Sequence, residues 1–302
     1  MSGVAMARMF ARELLARRHQ PRGPTPSSML GADGILAAME DGGQVDGRTA
    51  AGYLHHSARI SQVLVGRRHC VDVGCGNAMQ LLQVAALNPS IRFTGVDPAP
   101  LMLDSAQRRA ESLGIMNVDW EIGDFASLLA AGPGRFDAAI CTMTLHDLPD
   151  TAALDTALQA IACAAGDEGA VYIEDFARLK SPASIDFFVG LNSPAVPDRF
   201  SKLYRCSLGA AFTIEELRAA VARWLPAARL YSTFLVPFLN VLKTADGELP
   251  AQTRARLQEM RGALSPAARR DLDDLRRFFA LGGLGNDPFD GSATQTRPSP
   301  GR

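Results

Sequence analysis

"CVDVGCGNAMQLLQVA", residues 70–85, passes from a short apolar run through a glycine-rich turn into a second, helical apolar stretch. Glycine at such a junction lets backbone approach a ligand, and a strand that turns directly into a helix is the opening unit of an α/β fold. In a dinucleotide-binding G-x-G-x-x-G turn, the third small residue allows close helix–strand packing and the helix N-terminus receives the pyrophosphate. Gly74 and Gly76 fit that pattern, but its third position is Met79. The small residue comes one place earlier, giving D-x-G-x-G-x-A from Asp72 to Ala78. That spacing disfavours a nicotinamide-dependent dehydrogenase and suits a neutral or cationic ligand without phosphates.

Downstream, short apolar runs alternate with longer amphipathic ones: "IRFTGVD" then "LMLDSAQRRAESLG", "VDWEIGD", "FDAAICTM" then "TAALDTALQAIACAA", and "GAVYIEDF". Such alternation implies parallel strands joined by right-handed crossovers, helices on both faces, and ligands at the carboxyl ends of the strands. The expected fold is α/β and Rossmann-like. Two stretches within residues 29–68 space apolar residues at helical intervals and read as a helical cap. The proline-rich "PRGPTPSS" sets residues 1–28 apart as a mobile N-terminal tail. Residues 177–212 interrupt the rhythm with an aromatic-rich insertion of the kind that builds a substrate pocket.

Thr213 and Glu216 form a capping box for the helix that follows, and "ARLYSTFLVPFLNVLKT" reads as two strands pivoting at Val236–Pro237, closing the sheet near Lys243. Residues 244–302 hold two amphipathic helices, the second with Ser265 as N-cap and Pro266 at its first position, and end in a flexible tail. Their "RRDLDDLRRFF" run reads as a solvated helix face, with a homodimer contact or a lid as the second reading.

Among 302 residues, 47% are hydrophobic, enough for a substantial core. The 31 basic and 32 acidic residues balance, which gives no support to a nucleic-acid partner or an anionic membrane surface and leaves a small molecule as the expected partner. No apolar run reaches the roughly 18 residues needed to span a bilayer. Five cysteines without a paired spacing point to reduced thiols and a cytoplasmic setting, with neither disulfides nor a metal centre expected. The Arg-rich first residues resemble a transit peptide but lack the apolar core of a secretory signal, and read as a loose helix.

Four stretches then agree in order and spacing: "VDVGCGNA", "GVDPAP" with Asp97 ending the second strand, "GDF" with Asp124 and Phe125 after the third, and "FDAAICTMTLHDLPD" at the fourth. From residue 69 to 243 the chain resembles the class I S-adenosylmethionine-dependent methyltransferases of the bacterial small-molecule type, departing at Ala78, where glycine is commoner. The resemblance implies a seven-stranded, mostly parallel sheet and S-adenosylmethionine as cofactor. It implies that Gly74 and Gly76 face the methionine end of the cofactor, with Asp72 near its amino group or bracing the loop. Asp97 would accept both ribose hydroxyls; Asp124 would meet the adenine amino group, with Phe125 and Met102 against the ring. Thr142 completes the expected cofactor contacts. Taken singly, Asp124 is also a helix cap, and Phe125 and Met102 are also core residues.

Transfer to a hydroxyl gains from a base, and His146 in "TLHDLPD" is the candidate because neutral imidazole takes a proton near pH 7. Tyr53, Phe187, Tyr204 and Arg205, in the cap and insertion, are the candidate substrate-binding residues. The fourth-strand residues Cys141 to Thr144 are unlike the Asn-Pro-Pro-Tyr type associated with amino groups of nucleobases or glutamine. The expected reaction is methyl transfer to O, N or C of a metabolite or natural-product intermediate. A cofactor-binding scaffold without turnover is the alternative, and an arsenite-type methyltransferase using Cys75 and Cys206 a narrower one.

Overall fold

The computed structural model describes residues 3–43, 49–192 and 197–290. Three helices precede the sheet: α1 (Gly3–Leu15), α2 (Pro26–Gly43) and α3 (Ala50–Val63). There follow β1 (His69–Val73), α4 (Met79–Leu87), β2 (Arg92–Asp97), α5 (Pro100–Leu113), β3 (Val118–Ile122), α6 (Phe125–Ala130), β4 (Ala138–Thr142), α7 (Thr151–Ala165) and β5 (Ala170–Phe176). The insertion forms α8 (Pro182–Asn192) and α9 (Asp198–Ala210); then come α10 (Ile214–Trp224), β6 (Arg229–Ser232), β7 (Leu239–Lys243), α11 (Ala251–Ala263) and α12 (Pro266–Leu281).

The seven strands lie in the order β3-β2-β1-β4-β5-β7-β6, all parallel except β7, which runs antiparallel to both its neighbours. The order reverses between β1 and β4, so the loops after these strands part and open a crevice at their carboxyl ends. One face of the sheet buries Val71, Ala139 and Ile173 against Leu158 and Ile161 of α7 and Leu217 of α10. The other buries Cys70, Phe93 and Tyr172 against Ile60 of α3, Leu81 of α4 and Phe279 of α12. The central strands β1, β4 and β5 are therefore apolar on both sides, which is why they read as continuous runs rather than as alternating ones.

Local chemistry sets several boundaries. Thr213 and Glu216 form the expected capping box at α10, and Ser265 caps α12 with Pro266 behind it. The β6–β7 turn is held by the Thr233 hydroxyl, which donates to Val236 O and accepts from the backbone N–H groups of Phe238 and Leu239.

Of the expected tail, residues 1–28, the described part from residue 3 packs against the rest of the chain instead of standing apart as the proline-rich stretch suggests. Met9 of α1 is buried with Leu179, Ile185 and Phe188, and the Glu13 carboxylate accepts from the backbone N–H groups of Lys180 and Ser181. The prolines mark an extended connector whose own contacts hold it down. Arg22 donates to the carbonyls of Ala210, Pro149, His146 and Leu148 while stacking on Phe212 at 4.1 Å. Helix α2 also begins within that stretch, at Pro26, and kinks at Gly31.

The C-terminal helices are equally integral. Phe279 of α12 is fully buried and stacks on His55, and the buried guanidinium of Arg59 donates to Gly285 O and Asn286 O beyond that helix. Phe279→Ala is expected to cost about 3–5 kcal/mol. Urea denaturation checks this; a loss below about 1 kcal/mol, the size of a surface substitution, would mean that α12 is an appendage. The flexible tail expected at the C-terminus falls mainly on residues 291–302, outside the described residues.

Candidate active site

The parting of β1 and β4 leads into a cavity of about 610 Å³, within the range that holds a cofactor-sized ligand. Its floor is the turn after β1. Gly74, with φ of 76°, accepts no side chain: a Cβ would lie 2.2 Å from Thr144 Cγ2, and the Thr144 hydroxyl donates to Gly74 O. Gly76, with φ of 53°, has only Met39 Cε near its missing Cβ, at 3.9 Å, so the bend is open toward the cavity. Ala78 adopts a left-handed φ of 58°, a conformation that glycine takes without strain and alanine does not.

Asp97 stands where β2 ends. One carboxylate oxygen accepts from Gly76 N and the other from Ala99 N, each at 2.9 Å. The acid thus ties the glycine turn to the start of α5 while lining the cavity. Burial raises its pKa above the ordinary value, opposed by those two N–H groups.

Gly74, Gly76, Asp97, Met102, Asp124, Phe125 and Thr142, seven of the eight expected cofactor contacts, share this wall. Asp124 also caps α6, accepting from Ser127 N while the Ser127 hydroxyl accepts from Asp124 N. Asp72 is the exception. It is buried beneath the turn, outside the wall, with Oδ1 lacking any partner, and its pKa is pushed up to about 8 by burial and by the charge of Asp97.

That raised pKa has a stability consequence. The folded chain binds the Asp72 proton more tightly than the unfolded chain, so this group's contribution falls as pH rises from about 4 to about 8. Asp72→Asn keeps the neutral shape and removes the dependence. Thermal unfolding from pH 5 to 9 should show the variant gaining on the parent by up to about 1.4 kcal/mol per pH unit up to pH 8, whereas a constant gap would refute it.

The rest of the cavity wall draws on four helices around the sheet. Helix α2 supplies Ile35 and Met39, α3 supplies Tyr53 and His56, α9 supplies Phe200 and Tyr204, and α12 supplies Leu275. Two expected substrate residues, Arg205 and Phe187, lie outside the cavity wall. Arg205 is turned one position, about 100°, away from Tyr204 on α9 and pairs with Asp186 at the surface. Phe187 lies outside the wall and packs with Met9, Ile185 and Val189, because α8 faces α1. Burial raises the pKa of the Tyr204 phenol.

His146 is the middle residue of a short 3-10 turn after β4, Leu145–Asp147, and lines the cavity. Its Nδ1 lies 2.7 Å from Asp175 Oδ1, and its backbone N–H donates to Oδ2 of the same carboxylate. A carboxylate only accepts, so Nδ1 carries the hydrogen and Nε2 is the basic nitrogen. Burial pushes the imidazole pKa down, but the charge and hydrogen bond of Asp175 outweigh it, helped by Asp147 and opposed by Arg22; the net shift is upward from 6.5. Asp175 was not among the sequence candidates, although its position at the end of "GAVYIEDF", where site residues gather, was a usable signal.

Residues 70–169 match the methyltransferase domain family. The chain carries a class I S-adenosylmethionine-dependent methyltransferase domain. Over 84 residues the chain is 37% identical to the ubiquinone biosynthesis O-methyltransferase of Xylella fastidiosa strain 9a5c, covering 28% of this chain and 33% of that one. The chain thus spans about a third of the length of such curated relatives. In fold, the methyltransferase domain and its additions resemble the plantazolicin methyltransferase BpumL, solved in complex with SAH, with a TM-score of 0.55 at 14% identity over 87% of this chain and 96% of that one. An O-methyltransferase family protein from Burkholderia thailandensis aligns at 0.51 and 16% identity, over 81% and 69%. In the methyltransferase domain, Cys75 is the only one of the five cysteines in the cavity wall; Cys206 lies outside it, so the two thiolates of the arsenite-type reading are not brought together there. Among the described residues, no helix is long and apolar enough to cross a membrane.

Proposed function

We propose that this chain transfers a methyl group from S-adenosylmethionine to an oxygen of a small, largely apolar metabolite or natural-product intermediate, with His146 as the general base. The observation that carries this reading is His146 in the wall of the cavity that the glycine turn and Asp97 also line, with the Asp175 carboxylate 2.7 Å from its Nδ1 behind that wall. A packing histidine has no need of a buried carboxylate fixing its tautomer; a base does.

The residues present fit the cofactor. Asp97 offers the remaining acceptor capacity of its oxygens to the ribose hydroxyls. Gly74 and Gly76 allow backbone approach, and Met102 and Phe125 offer apolar surface to the adenine beside Asp124. When bound, S-adenosylmethionine supplies a methyl carbon made electrophilic by the sulfonium, whose carbon–sulfur bond breaks with its electron pair going to sulfur. His146 Nε2 removes the acceptor's hydroxyl proton as the oxygen forms its bond to the methyl carbon, and Asp175 steadies the imidazolium that results. The apolar wall from α2, α9 and α12 excludes water and holds the acceptor in line. The names of the relatives support O-methylation, and the plantazolicin methyltransferases support a natural product as acceptor. Incubating the protein with a metabolite extract and methyl-labelled cofactor tests the reading; cofactor binding without label transfer would favour the scaffold alternative.

A further inference from the structure

A second histidine–acid pair lies in the cavity wall, and the proposed transfer does not use it. Glu174 and Asp175 are neighbours near the end of β5. Asp175 holds His146, while Glu174 Oε1 lies 2.8 Å from His56 Nε2. His56 Nδ1 is in turn 2.7 Å from the Tyr172 hydroxyl. All three residues of this chain of contacts are buried. His56 Nδ1 is hydrogen-bonded to Tyr172, while Nε2 meets Glu174 as a close charge contact without hydrogen-bond alignment; the imidazole thus holds Glu174 by proximity and charge. Glu174 lines the cavity, and among the described residues no hydrogen bond reaches its Oε2.

The charges around it narrow what Glu174 can receive. The described wall contains Asp97, Asp124, Asp147 and Glu174, and no lysine or arginine. Three of these acids have other duties: Asp97 holds the glycine turn, Asp124 caps α6, and Asp147 accepts from Ser27. Glu174 Oε2 and Asp124 Oδ2 are the acceptor oxygens of these acids that no described donor claims, and Asp124 is already assigned to the adenine of the cofactor, which leaves Glu174 for the acceptor. Glu174 also sits beside Tyr53, whose phenol is pushed up to about 12 by burial and by the charge of Glu174, so that this hydroxyl stays neutral. A carboxylate or phosphate on the acceptor would enter a buried acidic wall without a cation to compensate it, whereas an N–H, O–H or ammonium group would be met by an oriented carboxylate.

We infer that Glu174, held in place by His56, recognises the methyl acceptor: it accepts a hydrogen bond from a donor group other than the hydroxyl that is methylated, and the site thereby selects neutral or cationic hydroxylated compounds over anionic ones. This rests on the cavity being the acceptor site of a methyltransferase. The test uses three phenols with similar bodies and different charge: tyramine, 4-ethylphenol and 3-(4-hydroxyphenyl)propionate. Their binding to the full chain saturated with S-adenosylhomocysteine is measured by calorimetry at neutral pH. Tyramine should bind tightest, exceeding the propionate by about tenfold or more, and Glu174→Gln should bring the three within about threefold while leaving S-adenosylhomocysteine affinity unchanged. Propionate binding as tight as tyramine, no binding of any of the three, or the same order in the variant would each overturn the inference. If Glu174→Gln does not fold, the order in the parent decides. S-Adenosylhomocysteine binding to the parent is measured first, since its absence would refute the underlying methyltransferase reading instead.

Discussion

Replacing Asp97 by alanine weakens S-adenosylmethionine binding by about a hundredfold or more, because a carboxylate hydrogen bond contributes roughly 1.5–3 kcal/mol and this acid is assigned two of them to the ribose. The loss has a second source within the protein. Asp97 accepts from Gly76 N and Ala99 N, so its removal leaves two backbone donors beside the cofactor without their partner and frees the glycine turn to shift. Asp97→Asn separates the two contributions, since the amide oxygen preserves one acceptor. Calorimetry with S-adenosylhomocysteine gives the affinities, and Asp104→Ala, on the exposed side of α5, serves as the control. An Asp97→Ala protein binding within about threefold of the parent would remove the ribose assignment, because no pair of charge-assisted bonds is that weak.

His146→Ala lowers kcat by about 10²- to 10⁴-fold with little change in cofactor affinity, the range expected when a positioned base is lost. Asp175→Asn produces a similar fall, since an amide at that position no longer imposes hydrogen on Nδ1. The pH profile carries the sign. The imidazole must be neutral to act, and its pKa lies above 6.5, so activity rises with pH through a value higher than that of free histidine. The stability that the protonated pair contributes runs the other way: it is present below pH 6.5 and lost as pH rises through the folded-state pKa. A kcat of His146→Ala within tenfold of the parent, with the same profile, would show that proximity alone drives transfer.

The fold was largely legible because its information is local. The βα alternation from Cys70 to Phe176, the capping box at Thr213 and Glu216, and the Ser265–Pro266 start of α12 depend on neighbours within a few residues, and each lies where the pattern placed it. The part of the cavity wall at the strand ends was legible for a related reason. In a parallel sheet the strand ends converge on one edge, so Gly74, Asp97, Asp124 and Thr142 become neighbours once β1 to β4 are in order.

What the sequence by itself determined was this ordered sheet and the row of residues along its ligand-binding edge. Tertiary structure decided the rest. That α1 docks on α8, that Arg22 gathers three carbonyls of the His146 loop and that of Ala210, and that Asp175 and Glu174 each meet a histidine from a different element are contacts between segments about 30 to more than 170 residues apart. No local periodicity encodes such pairings, because they arise only when packed elements bring distant side chains within hydrogen-bond reach. The same holds for Arg205 and Phe187: which side of a helix faces a cavity is set by what the helix packs against, and that is a property of the assembled chain.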